Sequence, residues 1–96
     1  MNRIYMNKLF DLYKDLLTEH EQLIFIDYYE QDLSLSEIAT NENVSRSAVS
    51  KTLKVIEDKL NNYEDKIGLS RRNDLLNKAL ISNNLEDIKK IISKVL

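Results

Sequence analysis

Six side chains suited to meeting a polyanion fall within ten positions of this chain: Ser45, Arg46, Ser47, Ser50, Lys51 and Lys54. Arginine and lysine neutralise phosphates or fork onto guanine, and serine hydroxyls bond phosphate oxygens. No acid interrupts the set before Glu57. If these residues open a helix, its first amides and the positive end of its dipole add to the same attraction. The partner such a set suits is nucleic acid, either DNA or structured RNA. The bland alternative is a solvated helix face, which is what most mixed polar faces are.

The residues around the set supply the positioning elements. Ser34 followed by Glu37 is a capping-box pattern, so a helix is expected to start at Leu35. Leu35, Ile38 and Ala39 share one of its faces, and the small Ala39 lets a second helix cross closely. The turn is expected at Asn41 to Val44, with Asn43 in the left-handed conformation that asparagine tolerates best after glycine. Ser45 then caps a second helix, in which Val49, Leu53, Ile56 and Leu60 all face inward. That orientation leaves Arg46, Ser47, Ser50, Lys51 and Lys54 outward. The order is that of a helix-turn-helix.

Upstream, residues 3–17 carry Met6, Leu9, Phe10, Tyr13, Leu16 and Leu17 at helical spacing. Thr18 and Glu21 repeat the capping-box pattern and open a second helix through about Glu30, whose apolar interior from Leu23 to Tyr29 suggests the helix on which others pack. Downstream, Val49, Leu53, Ile56, Leu60, Tyr63 and Ile67 keep a heptad-like seam. A helix from Ser45 to Lys66 extends about 32 Å, more than a three-helix core covers, so its far end is expected to need another partner. Gly68 is read as its left-handed cap, Ser70 as the start of a fifth helix, and Asn84 with Asp87 as the start of a sixth. The expected organisation is a helix-turn-helix domain over 1–69 and a C-terminal helical hairpin over 70–96, packed on the same domain or on a dimer partner.

Composition agrees with an all-α chain. One glycine and no proline among 96 residues favour long uninterrupted helices, and 43% hydrophobic with 31% charged residues is globular. The absence of cysteine excludes disulfides, thiol catalysis and the common zinc sites. A single glycine excludes a glycine-rich phosphate cradle. The lone His20, between Glu19 and Glu21, reads as surface decoration, and Tyr28 and Tyr29 read as core in an apolar run. No enzyme, metal or cofactor is expected, and no secretory signal or membrane-spanning run is seen, so the expected protein is soluble and intracellular. The net charge of -2 divides into -6 over residues 1–44 and +4 over residues 45–96, so affinity for a polyanion should be modest and salt-sensitive unless dimerisation doubles the contacts.

The stretch Leu17 to Leu60 resembles region 4 of bacterial sigma factors. More closely, NKLFDLYKDLLTEHEQ at 7–22, YYEQDLSLSEIA at 28–39, VSRSAVS at 44–50 and LNNYEDKIGL ending at Leu69 resemble the YlxM-like family, small bacterial proteins encoded beside signal recognition particle genes. The resemblance implies a sigma-70 region 4-like helix-turn-helix, a cytoplasmic homodimer, and a regulatory role linked to the signal recognition particle pathway. By match of motif, it makes Ser45, Arg46, Ser47, Ser50 and Lys51 nucleic-acid-facing. A second reading stays open, in which the same fold binds a protein component of the targeting ribonucleoprotein through the acidic amino-terminal half.

Overall fold

A computed structural model describes residues 2–96 and arranges them as six α-helices, with no strand among the described residues. They are α1 (Arg3–Tyr13), α2 (Glu19–Phe25), α3 (Leu35–Glu42), α4 (Arg46–Ile67), α5 (Leu69–Ile81) and α6 (Leu85–Val95). The molecule is elongated, 57 × 22 × 19 Å. The 22 residues of α4 account for about 33 Å of helix, with the first three helices packed on it and the α5–α6 hairpin continuing from its far end.

Side-chain caps set most of the boundaries. The Thr18 and Ser34 hydroxyls accept from the Glu21 and Glu37 amides, and each glutamate reaches back to the amide of its cap residue. Ser45 Oγ accepts from the Ala48 amide at 3.0 Å, and Asn84 Oδ1 from the amides of Glu86 and Asp87. The ends of the first two helices depart from the sequence expectation. α1 stops at Tyr13 and a tighter 3-10 turn carries the chain from Lys14 to Leu16. After Phe25 the chain winds more widely, as a π-helical turn over Ile26–Glu30 closed by the Gln31 amide on the Ile26 carbonyl. Arg3 donates to the Tyr28 and Tyr29 carbonyls at that loosened end, at 3.2 and 2.8 Å. Asp32, at φ 61°, then turns the chain toward α3.

The core sits between α1, α2, α3 and the first four turns of α4. Met6, Leu9, Phe10 and Tyr13 close on Ile24, Phe25, Ile38, Val49, Leu53, Ile56 and Leu60, all buried. Phe25 stacks between Phe10 and Tyr29, with ring centroids 4.1 and 4.4 Å away. α4, rather than the α2 segment suggested by the apolar run, is the helix against which α1, α2 and α3 all pack. Leu23 in that run stays half exposed. Lys59 Nζ lies 2.6 Å from Glu21 Oε2, so one glutamate both caps α2 and ties it to α4. Burial pushes the Glu21 pKa up, but the hydrogen bonds from Lys59 and the Thr18 amide outweigh it and hold the carboxyl below its ordinary value.

The junction with the hairpin is built by side chains far apart in sequence. Gly68 ends α4 at φ 73°, donating to the Glu64 carbonyl at 2.8 Å. α5 begins at once with Leu69, not at Ser70 as the sequence suggested, because its cap is not a serine. Glu64 accepts from the Ser70 and Arg71 amides at 3.0 and 3.2 Å, and the Tyr13 hydroxyl accepts from the Leu69 amide at 2.9 Å while donating to Glu64 at 2.7 Å. Ser70 is buried in that first turn.

The far end of the α4 seam is also covered within the chain. The Tyr63 ring lies 6.0 Å from that of Tyr13, and its hydroxyl donates to the Leu16 carbonyl at 3.1 Å. α1 therefore supplies much of the cover that the seam was expected to need from elsewhere, leaving Ile67 half exposed. The most exposed apolar side chains besides Ile4 lie on the hairpin, where α6 has no buried residue.

Candidate nucleic-acid interface

The interface is built by two short connections and the start of α4. α3 ends at Glu42, and Asn43 takes the left-handed conformation, φ 56° and ψ 44°. The Val44 amide returns to the Ala39 carbonyl at 3.0 Å, which closes the end of α3 and directs the chain into Ser45. Ile38 and Ala39 are buried beneath the crossing, beside Val49 and Leu53 of α4. The small side chain at 39 is what allows two backbones to approach there.

Ser45, Arg46, Ser47, Ser50, Lys51 and Lys54 are all exposed. Of the four amides that open α4, that of Ala48 is taken by Ser45 Oγ and that of Val49 by the Ser45 carbonyl. Those of Arg46 and Ser47 are left over. Among the described residues, Arg46 and Lys51 enter no ion pair. The six do not form one equivalent set. Ser47, Lys51 and Lys54 follow one stripe at helical spacing, and the next position on it is Asp58, whose carboxylate is 3.0 Å from Lys54. The hydrogen bond to Asp58 holds the Lys54 ammonium above its ordinary pKa and places a carboxylate beside it, in a pair that both side chains leave largely open to solvent. Ser50 and Lys54 line a shallow cleft of 320 Å³ with Tyr28, Leu35, Leu53 and Glu57. The free cationic surface is thus the first two turns, Arg46 to Lys51.

Two neighbours limit that surface. Glu57, the first acid of α4, accepts a hydrogen bond from Tyr29 and is turned toward α2. Burial and then this bond push the Tyr29 hydroxyl pKa well above its ordinary value. Tyr29 is buried and stacked on Phe25, so its ring is no free stacking platform, while the half-buried Tyr28 meets it at a near-perpendicular angle and lines the cleft beside Ser50 and Lys54. On the other side, Glu42 beside the turn meets His20 Nε2 at 3.2 Å. His20 is therefore not idle decoration: it links the start of α2 to the turn. With Ile24, Val44, Ala48, Val49 and Thr52, the pair lines a small groove of 80 Å³ under the α4 entrance.

The His20–Glu42, Glu21–Lys59 and Tyr13–Glu64 pairs were not legible in the sequence. Their partners lie 22, 38 and 51 positions apart, and only the capping role of Glu21 leaves a local trace. No cluster of metal-ligating side chains occurs among the described residues, and no helix there is long and apolar enough to cross a membrane.

Comparison with known proteins agrees with this geometry. The family described as "Putative helix-turn-helix protein, YlxM / p13 like" (UPF0122) matches residues 1–95. A UPF0122 protein of Desulforamulus reducens is 47% identical over 79% of this chain and 65% of its own length. One of Malacoplasma penetrans is 43% identical over 82% of this chain and 77% of its own. One of Clostridium novyi is 36% identical over 95% of both. The chain thus spans just under two thirds of the first of these relatives and more of the other two.

Proposed function

This chain belongs to the UPF0122 family of YlxM/p13-like helix-turn-helix proteins, and from that premise we propose that it is a regulatory, non-enzymatic protein that binds nucleic acid through the start of α4. The observation that carries the reading is the pairing of Arg46 and Lys51, both exposed and neither ion-paired, with two unused amides at the entrance of a helix held out by a left-handed turn. Ser45, Ser47 and Ser50 add hydroxyls for phosphate oxygens, and Lys54 contributes once Asp58 is displaced. Acidic side chains dominate residues 1–44, so contact is confined to this edge and strongly dependent on salt. A homodimer doubles the phosphate contacts and offsets that weakness. The YlxM likeness favours a cytoplasmic role connected with the signal recognition particle.

Gel shifts over a salt titration, on duplex DNA and on a small structured RNA, test the reading. A shift with either at low salt, weakened by Arg46→Ala and Lys51→Ala with helicity unchanged, is the expected result. No shift with either removes it.

One feature favours a second reading. The -6 half of the chain offers an acidic surface to a basic protein, such as a component of a targeting ribonucleoprotein. Retention of the assembled ribonucleoprotein with naked RNA and DNA ignored is the result that selects it.

A further inference from the structure

The cleft between the π-helical turn, the start of α3 and the middle of α4 is lined by Tyr28, Leu35, Ser50, Leu53, Lys54 and Glu57, and we propose that it receives one unpaired base of the bound nucleic acid, held against the Tyr28 ring. This rests on the reading that α4 binds nucleic acid. It deepens that reading by setting the class bound: a strand with a loop or bulge, in preference to a continuous duplex.

The lining divides as the surface of a base does. The Tyr28 ring with Leu35 and Leu53 offers contact to a flat, weakly polar face, and the polar atoms lie around them. Glu57 commits Oε2 to the Tyr29 hydroxyl, while its Oε1 accepts no hydrogen bond among the described residues. Lys54 donates to Asp58 and keeps N–H donors to spare, and the Ser50 hydroxyl is exposed beside it. An acceptor thus stands next to donors. A phosphate needs donors alone and is repelled by the Glu57 carboxylate, whereas the edge of a base carries amino or imino groups for Glu57 and carbonyl or ring nitrogen atoms for Lys54 and Ser50.

Position and rigidity favour the same occupant. Arg46, Ser50 and Lys54 recur every four residues, so one stripe runs from the entrance of α4 into the cleft over about 12 Å. A strand whose phosphate meets Arg46 is therefore led toward Tyr28. The Tyr28 ring is set before any base arrives. The Tyr29 ring meets it at 82° with centroids 5.1 Å apart, and the Arg3 guanidinium, which also holds the Tyr28 and Tyr29 carbonyls, lies 5.5 Å from its centroid. Little ordering is left to oppose binding. Tyr28 is half-buried between α3 and α4, a recess that a base stacked within a duplex does not enter and an unstacked one does.

The test compares a stem-loop RNA and the DNA stem-loop of the same sequence with loopless duplexes of matched charge, by fluorescence anisotropy at one low salt concentration. The RNA stem-loop, the DNA stem-loop or both should bind roughly 5- to 150-fold more tightly than the matched duplex, the range that one base–aromatic contact supplies. Tyr28→Leu should bring the ratio of the two affinities near one with helicity kept, and Tyr28→Phe should preserve it. In the unaltered chain, 4-thiouridine placed in the RNA loop should cross-link to Tyr28 under ultraviolet light, as located by mass spectrometry, and 4-thiouridine in the stem should not. If Tyr28→Leu loses helicity, the cross-link decides. Equal affinity for both stem-loops and their duplexes, a preference that survives Tyr28→Leu, or loop cross-links confined to Arg46–Lys51 overturns the proposal and leaves α4 standing as the binding edge. Loss of all binding, duplexes included, refutes that edge itself and the cleft with it.

Discussion

The α1–α4 bundle and the α5–α6 hairpin are written in the same helical period, yet they spend it differently. Every buried apolar side chain except Ala79 belongs to the first four helices or the turns between them, whereas Leu80, Ile81, Leu85 and Leu96 of the hairpin are more than half exposed. In the bundle, aromatic residues fill the space where helices meet, as Phe25 does between Phe10 and Tyr29. The hairpin has no aromatic residue and no third helix. Periodicity therefore states which side of a helix is apolar, but not what covers it. The two regions are joined chiefly at one point, the Tyr13–Glu64 clasp on the start of α5, with Lys8 and Asp74 pairing 3.3 Å apart beside it.

The sharpest way to break the contrast is to make the same kind of truncation on each side. Phe25→Ala removes a fully buried ring and should destabilise by about 3–5 kcal/mol in urea melts, while Ile92→Ala should cost a dilute sample less than about 1 kcal/mol. Comparable losses would mean the hairpin is packed as tightly as the bundle. The joint comes next in size. Tyr13→Phe leaves Glu64 and the Leu69 amide each without one partner and should cost about 1–2 kcal/mol, with hydrogen exchange quickening at the start of α5 before the bundle opens. Ser45→Ala removes the α4 cap and should cost about 1 kcal/mol in melts, loosening the proposed interface more than the core.

The smallest effect expected is one of pH. Burial raises the Glu64 pKa, but hydrogen bonds from Tyr13 and the Ser70 and Arg71 amides outweigh it, and the carboxyl is held below its ordinary value of 4.5. Its contribution is therefore fully present above that ordinary value and is lost as pH falls through the lower, folded one. Glu21 behaves alike within the bundle. Glu64→Gln should flatten part of the acid side of the stability profile and shift protection only at α5. Glu21→Gln should do so at α2 and α4. Identical protection patterns for the two variants would erase the distinction between the regions.

What was legible in the sequence was local. Ser34 with Glu37, Thr18 with Glu21, Asn43, Ser45, Gly68 and Asn84 each act within a few residues, and each does what its position implied. Misreadings arose where a distant side chain took a local residue's place. Ser70 looked like a cap, but Glu64 and Tyr13 already satisfy that helix start. The α4 seam looked too long for one chain, but Tyr63 folds onto Tyr13 and Leu16. At the candidate interface the exposure of all six side chains followed from spacing, whereas the capture of Lys54 by Asp58 depends on rotamers that spacing leaves open.

The most direct measurement is the slope of log affinity against log salt for the nucleic acid that binds better, comparing the unaltered chain with Arg46→Ala/Lys51→Ala. If those two cations each neutralise a phosphate, the slope should become shallower by about 1.8 on a duplex and about 1.4 on a single strand. An unchanged slope with unchanged affinity would contradict the account, because the polyanion would then be held somewhere other than the start of α4.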